Sequence, residues 1–267
     1  MPPYLCIIIF KHTIMSTTKI ALVTGGSRGL GKDMAINLAK KGLDVILTYN
    51  SNKEEAQKTV QAINALGQKA LSIQLNVADT KNYDPFVAKV KEALVKTLGT
   101  EKLDFVIPNA GIGHHQSFAE TQEADIDNLY TIHFKQPYLL TQKLLPIMND
   151  GGGIVNISSG LARFAMPGTS AYGALKAAVE QLTRYQAAEL GNRKIRSNVV
   201  APGAIETDFS GGTVRDNKEV NTMVSSSTAL GRAGLPEDIG SVVAFLCTED
   251  ARWINAQRIE VSGGMRL

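Results

Sequence analysis

Residues 19–42, KIALVTGGSRGLGKDMAINLAKKG, pass from a short apolar run through a glycine-rich turn into a segment with apolar residues at helical spacing, stopping at Gly42. The period changes from that of a strand to that of a helix at one turn, so the stretch is a βα unit whose turn lies at the strand's carboxyl end. The same alternation continues along the chain. KIALVT, DVILTY, KALSIQL, LDFVIP, GIVNIS, IRSNVVA and RIEVSG read as seven strands, and segments such as KEEAQKTVQAINALG, which stops at Gly67, read as helices between them. Strands that are apolar throughout are covered on both faces. The pattern predicts one doubly wound α/β domain around a seven-stranded parallel sheet with helices on both faces, and ligands bound beyond the carboxyl ends of the strands. One long stretch, 204–227, has no clear period and is rich in Gly, Ser and Thr. It reads as a loop of the kind that serves as a lid.

With 267 residues, 44% hydrophobic and 20% charged, the chain has the composition of a globular protein large enough for one sizeable core. No repeat, low-complexity tract or linker marks a second domain. A formal net charge of +3 without a dense Lys/Arg block argues against nucleic acid or an anionic membrane and for small-molecule partners. Cys6 and Cys247 stand far apart in no metal-ligand spacing, so neither a disulfide framework nor a metal site is expected, and a reducing, cytoplasmic location fits. The apolar run Tyr4–Phe10 is too short to span a bilayer and lacks the flanks of a secretory signal. Because Met15 directly precedes STTKIALVTGG, residues 1–15 are expected to be a disordered extension, with the domain over 16–267.

Within the turn, Gly25, Gly29 and Gly31 have GxxxGxG spacing, which permits a tight bend, close approach of a pyrophosphate and close helix–strand packing. Backbone N–H groups of Ser27, Arg28, Gly29, Leu30 and Gly31 would meet the phosphates. A glycine-rich turn that binds nothing has the same composition, but its place after the first strand favours a dinucleotide. An NAD-preferring site puts a carboxylate at the end of the second strand. Here Tyr49, Asn50 and Ser51 occupy that end, and Asp44 lies at the strand's beginning. Arg28 offers a planar cation for a 2′-phosphate, with Asn50 and Ser51 as neutral donors, so NADP(H) is expected over NAD(H); a solvated surface arginine is the bland reading. The third strand leads into Asn76, Val77 and Asp79, where Asp79 either accepts from an adenine amino group or caps the next helix. The fourth leads into Asn109, Ala110 and Gly111, a turn suited to backbone passing close to a ligand.

In YGALK, Tyr172 and Lys176 are i and i+4 and share a helix face. An ammonium beside a phenol lowers its pKa and makes a usable acid–base; alone, such a pair is more often an ordinary half-exposed face. The flanks favour chemistry. GGGIVNISSG ends a strand in Ser158 and Ser159, thirteen positions before Tyr172, and Ser159 can hydrogen-bond a substrate oxygen. APGAIETDF follows the next strand with Pro202 and Gly203 for a sharp turn, then Ile205, and Thr207 for a cofactor carboxamide.

From about Lys19 onward, the order and spacing of Thr24-Gly25…Gly29…Gly31, Asp79, Asn109-Ala110-Gly111, Ser159, Tyr172 with Lys176, and Pro202-Gly203 with Thr207 resemble the short-chain dehydrogenase/reductase family. The resemblance implies a one-domain Rossmann fold, hydride transfer between NAD(P)(H) and a carbonyl or alcohol, and a homotetramer or homodimer joined through the long helices near 125–148 and 172–190. It casts Tyr172 as proton donor to the carbonyl oxygen, Lys176 as the group that lowers its pKa and holds the nicotinamide ribose, and Ser159 as stabiliser of the substrate oxygen. There is one departure: where the family commonly carries a relay asparagine, this chain has His133, with Asn128 a turn and a half earlier. An imidazole there either joins the relay and makes the rate pH-sensitive, or is a buried structural histidine.

His114, His115, Arg163, Phe164 and Met166 are expected to border the substrate. The histidine pair lacks a third ligand for a metal. Arg163 is either a receptor for a substrate carboxylate or phosphate, or solvated. The competing reading is a non-catalytic NADP(H)-binding sensor or scaffold of the same fold, although Tyr172 and Lys176 are both present.

Overall fold

The computed structural model describes residues 18–267; the extension expected over 1–15 and Cys6 lie outside the described residues. Along the chain run β1 (Ile20–Val23), α1 (Gly29–Lys40), β2 (Asp44–Tyr49), α2 (Lys53–Ala65), β3 (Ala70–Gln74), α3 (Tyr83–Ala93), β4 (Leu103–Ile107), α4 (Glu123–Tyr130), α5 (Gln136–Leu144), β5 (Met148–Ile157), α6 (Ser170–Glu189), β6 (Arg196–Pro202), α7 (Thr213–Asp216), α8 (Lys218–Ser226), α9 (Pro236–Leu246) and β7 (Arg258–Val261). The strands form one parallel sheet in the order β3-β2-β1-β4-β5-β6-β7. The order reverses between β1 and β4, which opens a crevice above their carboxyl ends.

Every strand predicted from the sequence is present, and the reason is visible in β1. Its alternate residues enter different layers: Ala21 and Val23 pack on the side of α1, α2 and α9, while Ile20 and Leu22 pack on the side of α3 and α5. Both sets are buried, so no polar alternation is left in the sequence. Gly42 and Gly67 end α1 and α2 in the left-handed region, at φ +85° and +88°. Asn52 caps α2 by accepting from the Glu55 N–H at 3.0 Å.

Three expectations are corrected. The 204–227 stretch is not an open loop: after a 3₁₀ turn at Phe209–Gly212 it folds into α7 and α8, the latter capped by Asn217, which accepts from the Glu219 and Val220 N–H groups. The helix expected over 125–148 is broken by a π turn at Thr131–Lys135 and a 3₁₀ turn at Leu145–Ile147. β5 begins at Met148, five residues before the apolar GIVNIS, because Met148 pairs with Leu103 and residues 149–152 then bulge out before Gly153 rejoins β4 opposite Phe105.

Candidate active site

The glycine turn and the β4 turn are stapled together at the crevice. The Asn109 side-chain amide donates to the Thr24 carbonyl at 2.9 Å, and the Ala110 N–H donates to Thr24 Oγ1 at 2.9 Å. Asn109 thus shapes the cradle. Gly25 and Gly29 take φ +68° and +54°, and a Cβ on Gly31 would lie 2.1 Å from the Gly25 carbonyl oxygen and 2.5 Å from Asn109 Nδ2. Arg28 stands at the N-cap of α1 without a side-chain capping bond, so no side chain satisfies the first-turn N–H groups. A cradle that a single methyl would fill, below amides with no capping group, fits a pyrophosphate.

Arg28 is exposed, its guanidinium 4.0 Å from Asp208, and Asn50 and Ser51 are exposed just past the end of β2. Tyr49, expected there as well, turns its ring into the core layer of α1 and α2. Asp79 is a cap: it accepts from the Lys81 N–H at 3.1 Å and from Asn82 Nδ2 at 2.7 Å. Asn76 Oδ1 accepts from the Ala78 N–H, and the Val77 carbonyl accepts from the Tyr83 hydroxyl at 2.6 Å, so both serve the turn after β3.

Ser159 lies two residues past β5, and its Oγ accepts from the Leu161 N–H at 3.2 Å. Gly173, between Tyr172 and Lys176 on α6, lets the Ser159 turn press against the helix, since a Cβ there would lie 2.8 Å from the Leu161 carbonyl oxygen. The Ser159 hydroxyl thereby stands near that of Tyr172. Lys176 is buried, donates Nζ–H to the Ile157 carbonyl at 2.9 Å and lies 5.5 Å from the centre of the Tyr172 ring. Burial pushes the Lys176 ammonium down to about 8. Burial also raises the Tyr172 hydroxyl above its ordinary value, an effect the nearby Ser159 hydroxyl only partly offsets. No lowering by Lys176 accompanies that rise, and at neutral pH Tyr172 is a phenol, as it also is at its ordinary value.

His133 lies in the π turn, 2% exposed, with its ring edge-on to Tyr172 at 5.1 Å. Nε2 pairs with the Ile112 carbonyl at 2.8 Å, and Nδ1 is buried without a partner. Burial, with Lys176 adding repulsion, pushes the imidazole down to about 3. That shift favours the buried structural reading of His133 over the titrating one.

Past β6, the Gly203 N–H donates to the Val261 carbonyl, Ile205 bridges to Gly234, and buried Thr207 packs over Gly29 while its Oγ1 accepts from the Phe209 N–H at 3.2 Å. Pro202 ends β6 in the buried sheet. The lid then descends on the site. Phe209 tilts against Tyr172 at 6.1 Å, and Ser210 sits so close to Gly113 that a Cβ on the glycine would meet its Oγ at 1.9 Å. Phe209, Ser210 and Gly113 carry no signal of their own, although the loops that hold them, 204–227 and 111–118, are expected from the sequence to meet over the substrate. The His115 ring packs on Gly168, and Arg163, although partly exposed, is not free: it forms a two-point ion pair with Glu260 at 2.9 Å. Among the described residues no cluster of His, Cys, Asp or Glu could hold a metal ion, and no helix is long and apolar enough to cross a membrane.

A family model described as enoyl-(acyl carrier protein) reductase matches residues 25–266. An uncharacterized oxidoreductase of Methylorubrum extorquens is 36% identical over 93% of this chain and 98% of its own length. The hydroxynaphthalene reductase-like protein Arp2 of Metarhizium brunneum is 34% identical over 92% of this chain and 94% of its own. Among solved structures, the reductase LugOII, which catalyses keto-reduction at C1 during lugdunomycin biosynthesis, superposes with a TM-score of 0.89 at 35% identity, covering 94% of this chain and 99% of its own. The angucycline C-6 ketoreductase LanV with bound NADP does so with a TM-score of 0.89 at 33% identity, covering 94% and 96%. The fold, the crevice and these matches together make the chain a member of the short-chain dehydrogenase/reductase family of oxidoreductases.

Proposed function

We propose that the protein is an NADP(H)-dependent ketoreductase, and the observation that carries this is the Ser159–Tyr172 hydroxyl pair above buried Lys176 at the crevice. Two hydroxyls converging on one point make a seat for a carbonyl oxygen. Ser159 donates to that oxygen and holds it as charge develops. Tyr172, a phenol at neutral pH, hands it a proton. Lys176 stabilises the phenolate that results. NADPH, when bound, supplies the hydride; Gly25, Ser27, Gly29, Leu30 and Gly31 would hold its pyrophosphate, Arg28 with Asn50 and Ser51 its 2′-phosphate, and Thr207 its carboxamide end. His133, neutral and fixed by Ile112, packs against Tyr172 and orients it.

The proposed substrate is a neutral ketone on a fused or aromatic ring system. Phe209 beside Tyr172 supplies apolar surface, Arg163 is committed to Glu260, and the relatives named above include reductases of hydroxynaphthalene and angucycline type. The test follows oxidation of NADPH and NADH against ring ketones, 3-oxoacyl thioesters and enoyl thioesters. Consumption of NADPH with ring ketones is the expected result. Preference for the enoyl thioester would instead favour reduction at a carbon–carbon double bond, and NADPH binding without any turnover would favour a sensor. For assembly, exposed Tyr130 and Tyr138 stack in a row with Phe134, at 5.8 and 6.3 Å, on the outer side of α4 and α5, which supports a homodimer or homotetramer; a monomer in sedimentation equilibrium would overturn it.

Two smaller predictions belong here. Arg28→Ala should weaken NADPH binding about tenfold, or ~1.4 kcal/mol, and leave NADH binding unchanged; direct titration of both cofactors checks this. The reductive rate should hold steady from about pH 6 and fall on the alkaline side as Lys176 loses its proton at about 8, because the phenolate then lacks its counter-charge. His133→Asn should leave that profile in place. A profile that moves on this substitution would show the imidazole titrating after all.

A further inference from the structure

The side chains behind the site form one connected ionic chain. Glu180 lies on α6 one turn beyond Lys176 and is almost fully buried; its Oε1 accepts from the Ser158 hydroxyl at 2.7 Å and from Arg258 Nε at 2.7 Å. Arg258, the first residue of β7, also donates to Glu260 at 2.9 Å and reaches the Ser159 carbonyl at 3.5 Å. Glu260 in turn takes both prongs of Arg163, four residues after Ser159. The remaining donors of Arg163 go to the carbonyls of Met265 and Arg266, at 2.9 and 3.0 Å. That last segment does not end the connection. The Arg266 N–H donates to Ser227, while Ala229 and Leu230 donate to Gly264 and Gly263, so residues 263–266 carry the chain that leaves the lid helix α8.

We infer that Arg163, Glu260, Arg258 and Glu180 form a positioning brace that sets Ser159 and the trailing anchor of the lid in one rigid frame. The inference rests on the role proposed above for Ser159. Its physical ground is that the charges leave little slack. Two carboxylates and two guanidiniums are held by at least two partners each, and the planar forks fix orientation as well as distance. Moving the 263–266 segment therefore requires Arg163 to move, and with it the turn that presents Ser159. None of the four touches the substrate oxygen, so they are positioning residues. They hold the donor where the carbonyl will be, and small displacements of such a donor cost large factors in rate.

Arg163 is the member to substitute, because it is partly exposed, whereas loss of Arg258 would strand the buried charge of Glu180. For Arg163→Ala, kcat and kcat/KM for the best ring ketone should fall together by about tenfold or more, with NADPH affinity unchanged. Amide hydrogen exchange should quicken in two places at once, residues 159–164 and 227–230. Added methylguanidinium should restore a measurable part of the rate and of the protection, while Arg163→Lys, lacking the fork, should stay impaired. Unchanged exchange in either segment, or a rate loss that only follows a lowered melting temperature and is not rescued, overturns the brace. If the wild-type protein reduces no carbonyl, the proposed function fails and the exchange and rescue measurements still decide the brace.

Discussion

Tyr172→Phe is expected to cut turnover of the best ketone by about a thousandfold, or ~4 kcal/mol of barrier, while leaving NADPH affinity and melting temperature unchanged. Removal of one hydroxyl deletes the proton donor and half of the seat for the carbonyl oxygen, whereas the ring that packs against His133 and Phe209 stays in place. Because the phenol is the reactive form and is already the form present at and below neutral pH, the loss should be equally deep at neutral and mildly acidic pH. Single-turnover measurement with saturating NADPH separates this from a binding defect. Retention of more than about a tenth of the rate would remove Tyr172 from the proton-donor role, since general acids of this kind contribute at least ~100-fold.

The second large effect is expected at Gly31. Any side chain there begins with a Cβ 2.1 Å from a backbone oxygen and 2.8 Å from a backbone carbon of Gly25, atoms that move only if the whole turn moves. Gly31→Ala should therefore open the cradle, weaken NADPH binding by about 100-fold or more, ~2.7 kcal/mol, and cost about 1–3 kcal/mol of stability through overpacking. Fluorescence titration with NADPH reads the first, urea unfolding the second. A stable variant that binds NADPH within threefold of the wild type would show that the pyrophosphate does not lie in this turn.

How much of this was legible beforehand depended on whether the cause was local. The strands were legible because burial on two faces leaves an unbroken apolar run, and the ends of α1 and α2 because Gly42 and Gly67 take a conformation that suits glycine. The cluster of Ser159, Tyr172 and Lys176 was legible from spacing along one βα unit. The lid helices were hidden by Ser210, Gly211 and Gly212, three successive left-handed residues that look like loop, although Asn217 before Lys-Glu was a capping signal that could have been read. The π turn was hidden because Thr131–Lys135 holds no glycine or proline to mark it. Arg163 was illegible in a stricter sense. Its partner Glu260 stands 97 positions away, and no local pattern announces a pairing at that range.

The placement of β1 beside β4 has a kinetic consequence. The bonds that complete the cradle, from Asn109 and Ala110 to Thr24, close loops of 85 and 86 residues, and they can form only after β1, its helices, and β4 have found their order in the sheet. Long-range parallel pairing is the slow part of folding, because chain entropy is lost before any contact rewards it. A refolding chain should thus regain helical signal early and NADPH binding only with the last, global phase. Neither half of the sequence, expressed alone, should hold the cofactor, since the cradle belongs to both.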